Sequence, residues 1–278
     1  MTNEQRRAMR RSSAAVVALI VGLPVSLAWA DAAALARARQ FYNVGDYESA
    51  IVAAQAARED PEVADAAGIV LARAYLERFR READRQDLEA ARATLRHVQT
   101  ARLTPRDRID HVVGLAEALY LEDAYGAAAE MFAPLISATD ELSPGTRERV
   151  VDWWASALDA EARTRPADER TPIYLRIIDV MEVELRRDPA SGVASYWLAA
   201  AALGAGDPMR AWQAAVAGWI RAPLAPDEGL AIRRDLDRLV TDTIIADRVR
   251  NLSPPPTNPA QTAAELWEEW EGIKEKWN

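Results

Sequence analysis

Small residues recur along this chain at helical spacing. Ala38, Phe41, Gly45, Tyr47, Ala50, Ala54 and Ala57 stand at steps of 3, 4, 2, 3, 4 and 3, and Pro61 closes the run. Steps of three and four hold residues on one face of a helix, while the step of two beside Gly45-Asp46 marks a turn between two helices. The ladder returns as Ala116, Leu119, Asp123, Tyr125, Ala128, Phe132 and Leu135, and again as Ala199, Ala202, Gly206, Pro208, Ala211, Ala215 and Gly218. Such self-similarity implies stacked helix pairs, because one pair alone cannot bury its apolar face.

Gly45-Asp46-Tyr47-Glu48-Ser49-Ala50-Ile51 and Gly206-Asp207-Pro208-Met209-Arg210-Ala211-Trp212 are the clearest copies of the turn and second helix. A weaker unit places Leu71, Ala72 and Tyr75 on its first helix and Gln86 to Ala91 at the start of its second; between them, Glu77 to Arg85 adds about two turns of helix or loop. Turn-to-turn spacings of 41, 37 and 83 residues leave room for one more unit in the last gap. It is expected on Arg147–Asp159 and Thr171–Arg187, with Pro172 at the first helical position, Asp188-Pro189 as the stop and Arg163 to Arg170 as an exposed loop. From Ala32 to Ala222 the chain resembles the tetratricopeptide repeat family, in five units of which three match well. The resemblance implies an all-α fold, an α-α superhelix in the form of a right-handed solenoid of about five helix pairs. Its concave face would accept an extended peptide or a helix from a protein partner.

The ends of the chain read differently. Arg6, Arg7, Arg10 and Arg11 precede an apolar stretch from Ala14 to Leu27, and Ala28-Trp29-Ala30 has the form of a cleavage site. Residues 1–30 are therefore expected to be a cleaved secretory signal, and the product periplasmic or secreted. Ser12-Ser13-Ala14 after the arginine pair favours the ordinary secretory route over the twin-arginine one. Cleavage would remove four arginines and Glu4, taking the net charge from -9 to about -12, and would leave no integral membrane segment.

After the solenoid, expected over 31–252, a long helix is anticipated from about Asp227 to Leu252, with Leu230, Leu236, Leu239, Val240, Ile244 and Val249 on its apolar side. A proline-rich spacer, 253–261, leads to a helix over 262–278 in which Thr262 to Glu265 has the form of a capping box. Leu266, Trp270, Ile273 and Trp277 form its stripe, and Trp267 flanks it. This helix either caps the exposed end of the solenoid or docks on a partner or a second copy. The candidate partner-binding residues are accordingly Trp267, Trp270, Ile273 and Trp277, together with Trp212 and Trp219, seven apart on one face. Trp153-Trp154 and Tyr196-Trp197 are core or groove residues.

Chemistry is sparse by comparison. There is no cysteine, only two histidines (His97 and His111), and Lys274 and Lys276 are the only lysines. Disulfide scaffolds, thiolate metal sites and thiol nucleophiles are excluded. No nucleophile elbow, phosphate-binding loop or calcium loop appears, so no catalytic, cofactor or metal residue is assigned. The acidic balance argues against nucleic acid. Both histidines are expected at the surface or at helix ends, and charge runs such as Glu77 to Glu82 on solvated faces. Glu48-Ser49 imitates a dipeptide of lytic transglycosylases, but its place in the best-matched repeat explains it without catalysis. The sequence thus points to a non-catalytic exported scaffold or adaptor for protein partners. The alternatives are a structural subunit of an envelope complex attached through its last helix and, more remotely, a cell-wall enzyme.

Overall fold

The computed structural model describes residues 24–137, 142–225 and 227–277. The expected leader lies outside the described residues up to residue 23, and its last residues, Pro24 to Ala30, belong to the first helix. The chain divides into two compact units, with the boundary between Leu103 and Thr104. Both are all-α.

The first unit holds α1 (Pro24–Asn43), α2 (Tyr47–Ala57), α3 (Ala64–Glu82) and α4 (Arg85–His97). Helix α1 packs on α2, α2 on α3, α3 on α4, and α1 also on α3. The second unit holds α5 (Pro105–Leu121), α6 (Tyr125–Ser137), α7 (Pro144–Thr164), α8 (Ala167–Arg187), α9 (Gly192–Gly204), α10 (Pro208–Arg221), α11 (Leu230–Leu239), α12 (Ile245–Arg250) and α13 (Pro259–Lys276). From α5 to α10 each helix packs on the next. In addition α7 lies against both α5 and α9, and α9 against α11. Contact with the next helix and the next but one is the packing of a helical solenoid, consistent with the right-handed form expected.

The repeated residues explain this packing. Ala38, Ala50 and Ala54 in the first unit, and Ala116, Ala128, Ala199, Ala202, Ala211 and Ala215 in the second, expose no surface. A methyl side chain at each contact lets two backbones approach closely. Gly218 carries the same logic further, since a Cβ there would stand 2.9 Å from Leu236 Cδ1.

The turns repeat atom for atom. Gly45, Asp123 and Gly206 all take positive φ, at 78°, 60° and 83°. In each turn the following N–H closes back on the residue five before it: Asp46 N to Phe41 O, Ala124 N to Leu119 O, and Asp207 N to Ala202 O, at 3.0, 2.9 and 3.0 Å. This left-handed closure satisfies carbonyls at a helix end. Asp46 and Asp207 then cap the next helix by accepting the N–H of Ser49 and Arg210.

Several local expectations change. The extra residues Glu77 to Glu82 extend α3 rather than a loop, and the chain turns at Ala83 (φ 57°). Helix α7 begins at Pro144 and α8 at Ala167, so Arg165-Pro166 alone separates them. Pro172 lies inside α8 instead of opening it. So near the start of a helix, a missing N–H leaves a single carbonyl, that of Asp168, to solvent. Along the last long helix, Leu230 is exposed and Ile232 takes its buried place. Leu236, Val240 and Ile244, at steps of four, would drift around a regular helix. A π turn over Val240–Ile244 absorbs the drift, keeping all three without exposed surface. Gly229 precedes this helix at φ 79°, where a Cβ would fall 2.5 Å from the Ala222 backbone.

Within the charge run on α3, Arg80, Arg81 and Glu82 are exposed as expected, but Arg78 forms a clamp. Arg78 donates from Nε to Asp87 Oδ2 at 2.7 Å and from Nη1 to both carboxylate oxygens of Glu48 at 2.8 and 2.9 Å, so that α2, α3 and α4 meet at one guanidinium. The Asp87 side chain is 5 % exposed, against 67 % for Glu48. The bonds to Asp87, and secondarily to Glu48, raise the Arg78 pKa further above its ordinary value. Arg81 lies over Tyr47 at 4.4 Å and Arg73 over Tyr42 at 4.9 Å. Arg78→Met should destabilise the first unit by about 3 kcal/mol, because it strands a buried carboxylate. Glu48→Gln, on an exposed arm of the same clamp, should cost under about 1 kcal/mol. Urea denaturation of the two variants checks the ranking.

Candidate functional site

An open groove of about 880 Å³ runs across the second unit. Its walls are the first turns of α7, α9 and α11, the end of α8 and the segment leading into α11. The floor is built on a buried ion pair. Arg147 donates from Nε to Glu184 Oε2 at 2.8 Å and from Nη2 to Glu184 Oε1, and Nη2 also reaches the Ile136 carbonyl at 3.0 Å. Both side chains of this pair are under 10 % exposed. The bonds tie α7 to α8 and to the end of α6, fixing the helices that frame the groove.

Six carboxylates and two arginines line the groove, so it is acidic. Three of the six are taken up by Arg147 or by backbone N–H groups. Glu184 neutralises Arg147, Asp188 accepts the Ala190 N–H, and Asp227 accepts the N–H groups of Ala231 and Gly229. The bonds from Ala231 and Gly229 hold the Asp227 carboxyl below its ordinary range. The other three are Glu148, Asp152 and Asp235. Asp152 accepts the Trp197 indole N–H at 2.8 Å, and the cation nearest Asp235 is its sequence neighbour Arg234 at 3.5 Å. Tyr196 stands half-buried among them. Burial, followed by the fields of Asp159 and Asp235, raises its phenol above the ordinary value. Val193, Leu224 and the buried Ile232 give the groove its apolar part.

The six residues singled out in the sequence occupy a different place, at the end of the second unit. Trp270 exposes no surface and fits between Trp212 and Trp219, with ring centroids 5.9 and 5.3 Å away and edge-on geometry. Its indole N–H donates to Asp237 Oδ1 at 2.8 Å, which also takes the Lys274 ammonium at 2.9 Å. Arg248 lies over Trp212 at 4.4 Å and Arg233 over Trp219 at 5.1 Å. Ile273 packs on the same core. Trp212, Trp219 and Trp270 are thus occupied with one another, whereas Trp267 and Trp277 remain about half exposed. Helix α13 starts earlier than expected, at Pro259, capped by Asn258 accepting the Gln261 N–H. Thr262 therefore bonds back to the Asn258 carbonyl from inside the helix. The serine-proline segment after Asn251 delivers α13 onto α12.

Tests for reactive chemistry come out as follows. Among the described residues no group of three or more His, Cys, Asp or Glu side chains could hold a metal ion. His97 sits at the end of α4, bonded to the Ala93 carbonyl at 2.6 Å, whereas His111 is buried on α5 and departs from the surface expectation. Glu48 and Ser49 line a shallow groove of about 500 Å³ on the first unit. There the Glu48 carboxylate is exposed and already held by Arg78, unlike the dry and unpaired setting that suits a general acid. No described helix is long and apolar enough to cross a membrane. In comparisons with family models, curated proteins and solved structures, nothing matches this chain.

Sequence reasoning named Tyr196 and Trp197 as core or groove residues but passed over Glu148, Asp152 and Asp235. The signal for two of them was present: Glu148, Asp152 and Asp159 stand at i, i+4 and i+11 on α7, one face of one helix. Trp270→Ala should lower stability by about 3–5 kcal/mol, the range for emptying a large buried site. Removal of residues 253–278 should lower the melting temperature sharply as well. Trp267→Ala and Trp277→Ala should each change stability by under about 1 kcal/mol. Thermal unfolding of the four proteins checks this.

Proposed function

We propose that the chain is an exported, non-catalytic scaffold that holds protein partners in the groove of its second unit. The observation that carries this reading is the groove itself: it is wide and framed by the ends of stacked helices. Its framework is rigid where Arg147 and Glu184 lock it, while Tyr196, Val193 and Leu224 remain available for contact. Rigid frames with a few accessible aromatic and apolar anchors suit polypeptide recognition. A repeat chain without cysteine, and with its other reactive side chains few, is suited to such a role in an oxidising envelope.

Export rests on the leader pattern of residues 1–30. Expression of the full sequence in a Gram-negative host, followed by fractionation and N-terminal sequencing, should recover a periplasmic protein beginning at Asp31. A cytoplasmic protein with an intact start would sink the export part alone. A photo-crosslinker at Val193 should capture a protein partner in that envelope fraction, and the same reagent at exposed Glu275 on α13 should not.

A second reading has its own observation. Trp267 and Trp277 leave two large rings about half exposed on α13, which fits attachment of this helix to a larger envelope assembly. Under that reading, replacing both by alanine should release the chain from the assembly with its melting temperature unchanged.

A further inference from the structure

Glu148 and Asp235 are acids whose position the fold itself does not require, and Asp152 beside them is engaged by the Trp197 indole. Glu148 and Asp152 are four apart on α7, a like-charge arrangement that is unfavourable to a helix. Neither caps a helix, and Glu148 pairs with no cation among the described residues. The bond from Trp197 orients Asp152, and Tyr196 lines the same groove as Asp152 and Asp235. Such a pocket of fixed carboxylates beside an aromatic face is complementary to an ammonium or guanidinium group.

The rest of the groove indicates what carries the cation. At about 880 Å³ it is far larger than one side-chain head group, and Val193, Leu224 and Ile232 ask for apolar neighbours on either side of the charge. Arg147 lines the same groove at 6 % exposure, with its Nη1 lacking any hydrogen-bond partner. A main-chain carbonyl is the acceptor that a polypeptide would bring and a free amine would not.

We infer that the groove receives a short polypeptide segment with a lysine or arginine flanked by apolar residues, its cation held by Glu148, Asp152 and Asp235 beside Tyr196. This rests on the scaffold reading above and specifies the chemistry of its partner. The bound segment is selected by charge at the centre and by apolar contact at the sides, so its affinity falls as salt screens the half-exposed acids.

The probe is a fluorescein-labelled peptide of alternating lysine and leucine, with glutamate–leucine and glutamine–leucine peptides as controls, measured by fluorescence anisotropy against the full chain. The lysine peptide should bind and the other two should not. The double variant Glu148→Gln/Asp235→Asn should weaken it by about tenfold or more. Glu268→Gln/Glu275→Gln, which removes the same charge from exposed positions on α13, should leave binding unchanged. Circular dichroism confirms that both variants remain folded.

Equal weakening by the two double variants would mean attraction to overall negative charge and would overturn the inference. If lysine and glutamine peptides bind alike, and both are lost with Tyr196→Ala, the groove still holds protein segments and only the charge selection fails. Spermine competing as well as the lysine peptide at equal charge would replace the segment with a free polyamine. If no peptide binds and the Val193 crosslinker captures nothing, the scaffold reading falls together with this one.

Discussion

Close approach of helices over alanine is the constraint on which everything else in this protein depends. Where two helices meet, the contact residues are Ala38, Ala50, Ala54, Ala116, Ala128, Ala199, Ala202, Ala211 and Ala215, all without exposed surface. A larger residue at any of these points would push the backbones apart and strain the neighbouring rotamers. Spacing between helices in turn sets how far apart the first turns of α7, α9 and α11 stand, and hence the width of the groove between them. The shape of the groove is thus decided by residues that do not line it.

Charge performs two separate jobs. Arg78 gathers carboxylates from α2 and α4, Arg147 gathers one from α8, and each fastens helices to one another. Such pairs contribute less to net stability than their short distances suggest, since desolvation offsets most of the attraction. Their value lies in geometry, because a bidentate guanidinium accepts only a narrow range of helix positions. Glu148, Asp152 and Asp235 belong to the second kind: exposed or half-exposed, with little internal demand on them.

Much of the fold was legible because the repeat writes its contacts in residue size. The ladder located the closure at Gly45, Asp123 and Gly206, and the structure returns the same hydrogen bond at all three. The fourth pair was harder to place, since Pro172 looks like a helix start and is a tolerated interior residue near one. Leu230 is the first residue of its helix and stays exposed while Ile232 is buried, and further on the π turn keeps Leu236, Val240 and Ile244 inward where helical periodicity assumes a steady advance. The tail tryptophans drew notice for their size, and size is what made Trp270 useful to the core. The groove acids were overlooked for a different reason. A charged stripe on α7 reads as solvent-facing in isolation, and only its stacking against α9 turns that face into one wall of a cleft.

The slot between Trp212 and Trp219 lies on the last helix pair, at the surface where another pair would otherwise continue the stack. Trp270 fills it, with Asp237 fastening the indole nitrogen. The array therefore carries its own terminator. A duplicated helix pair can be accommodated upstream of α9, but not after α10 without first evicting that ring.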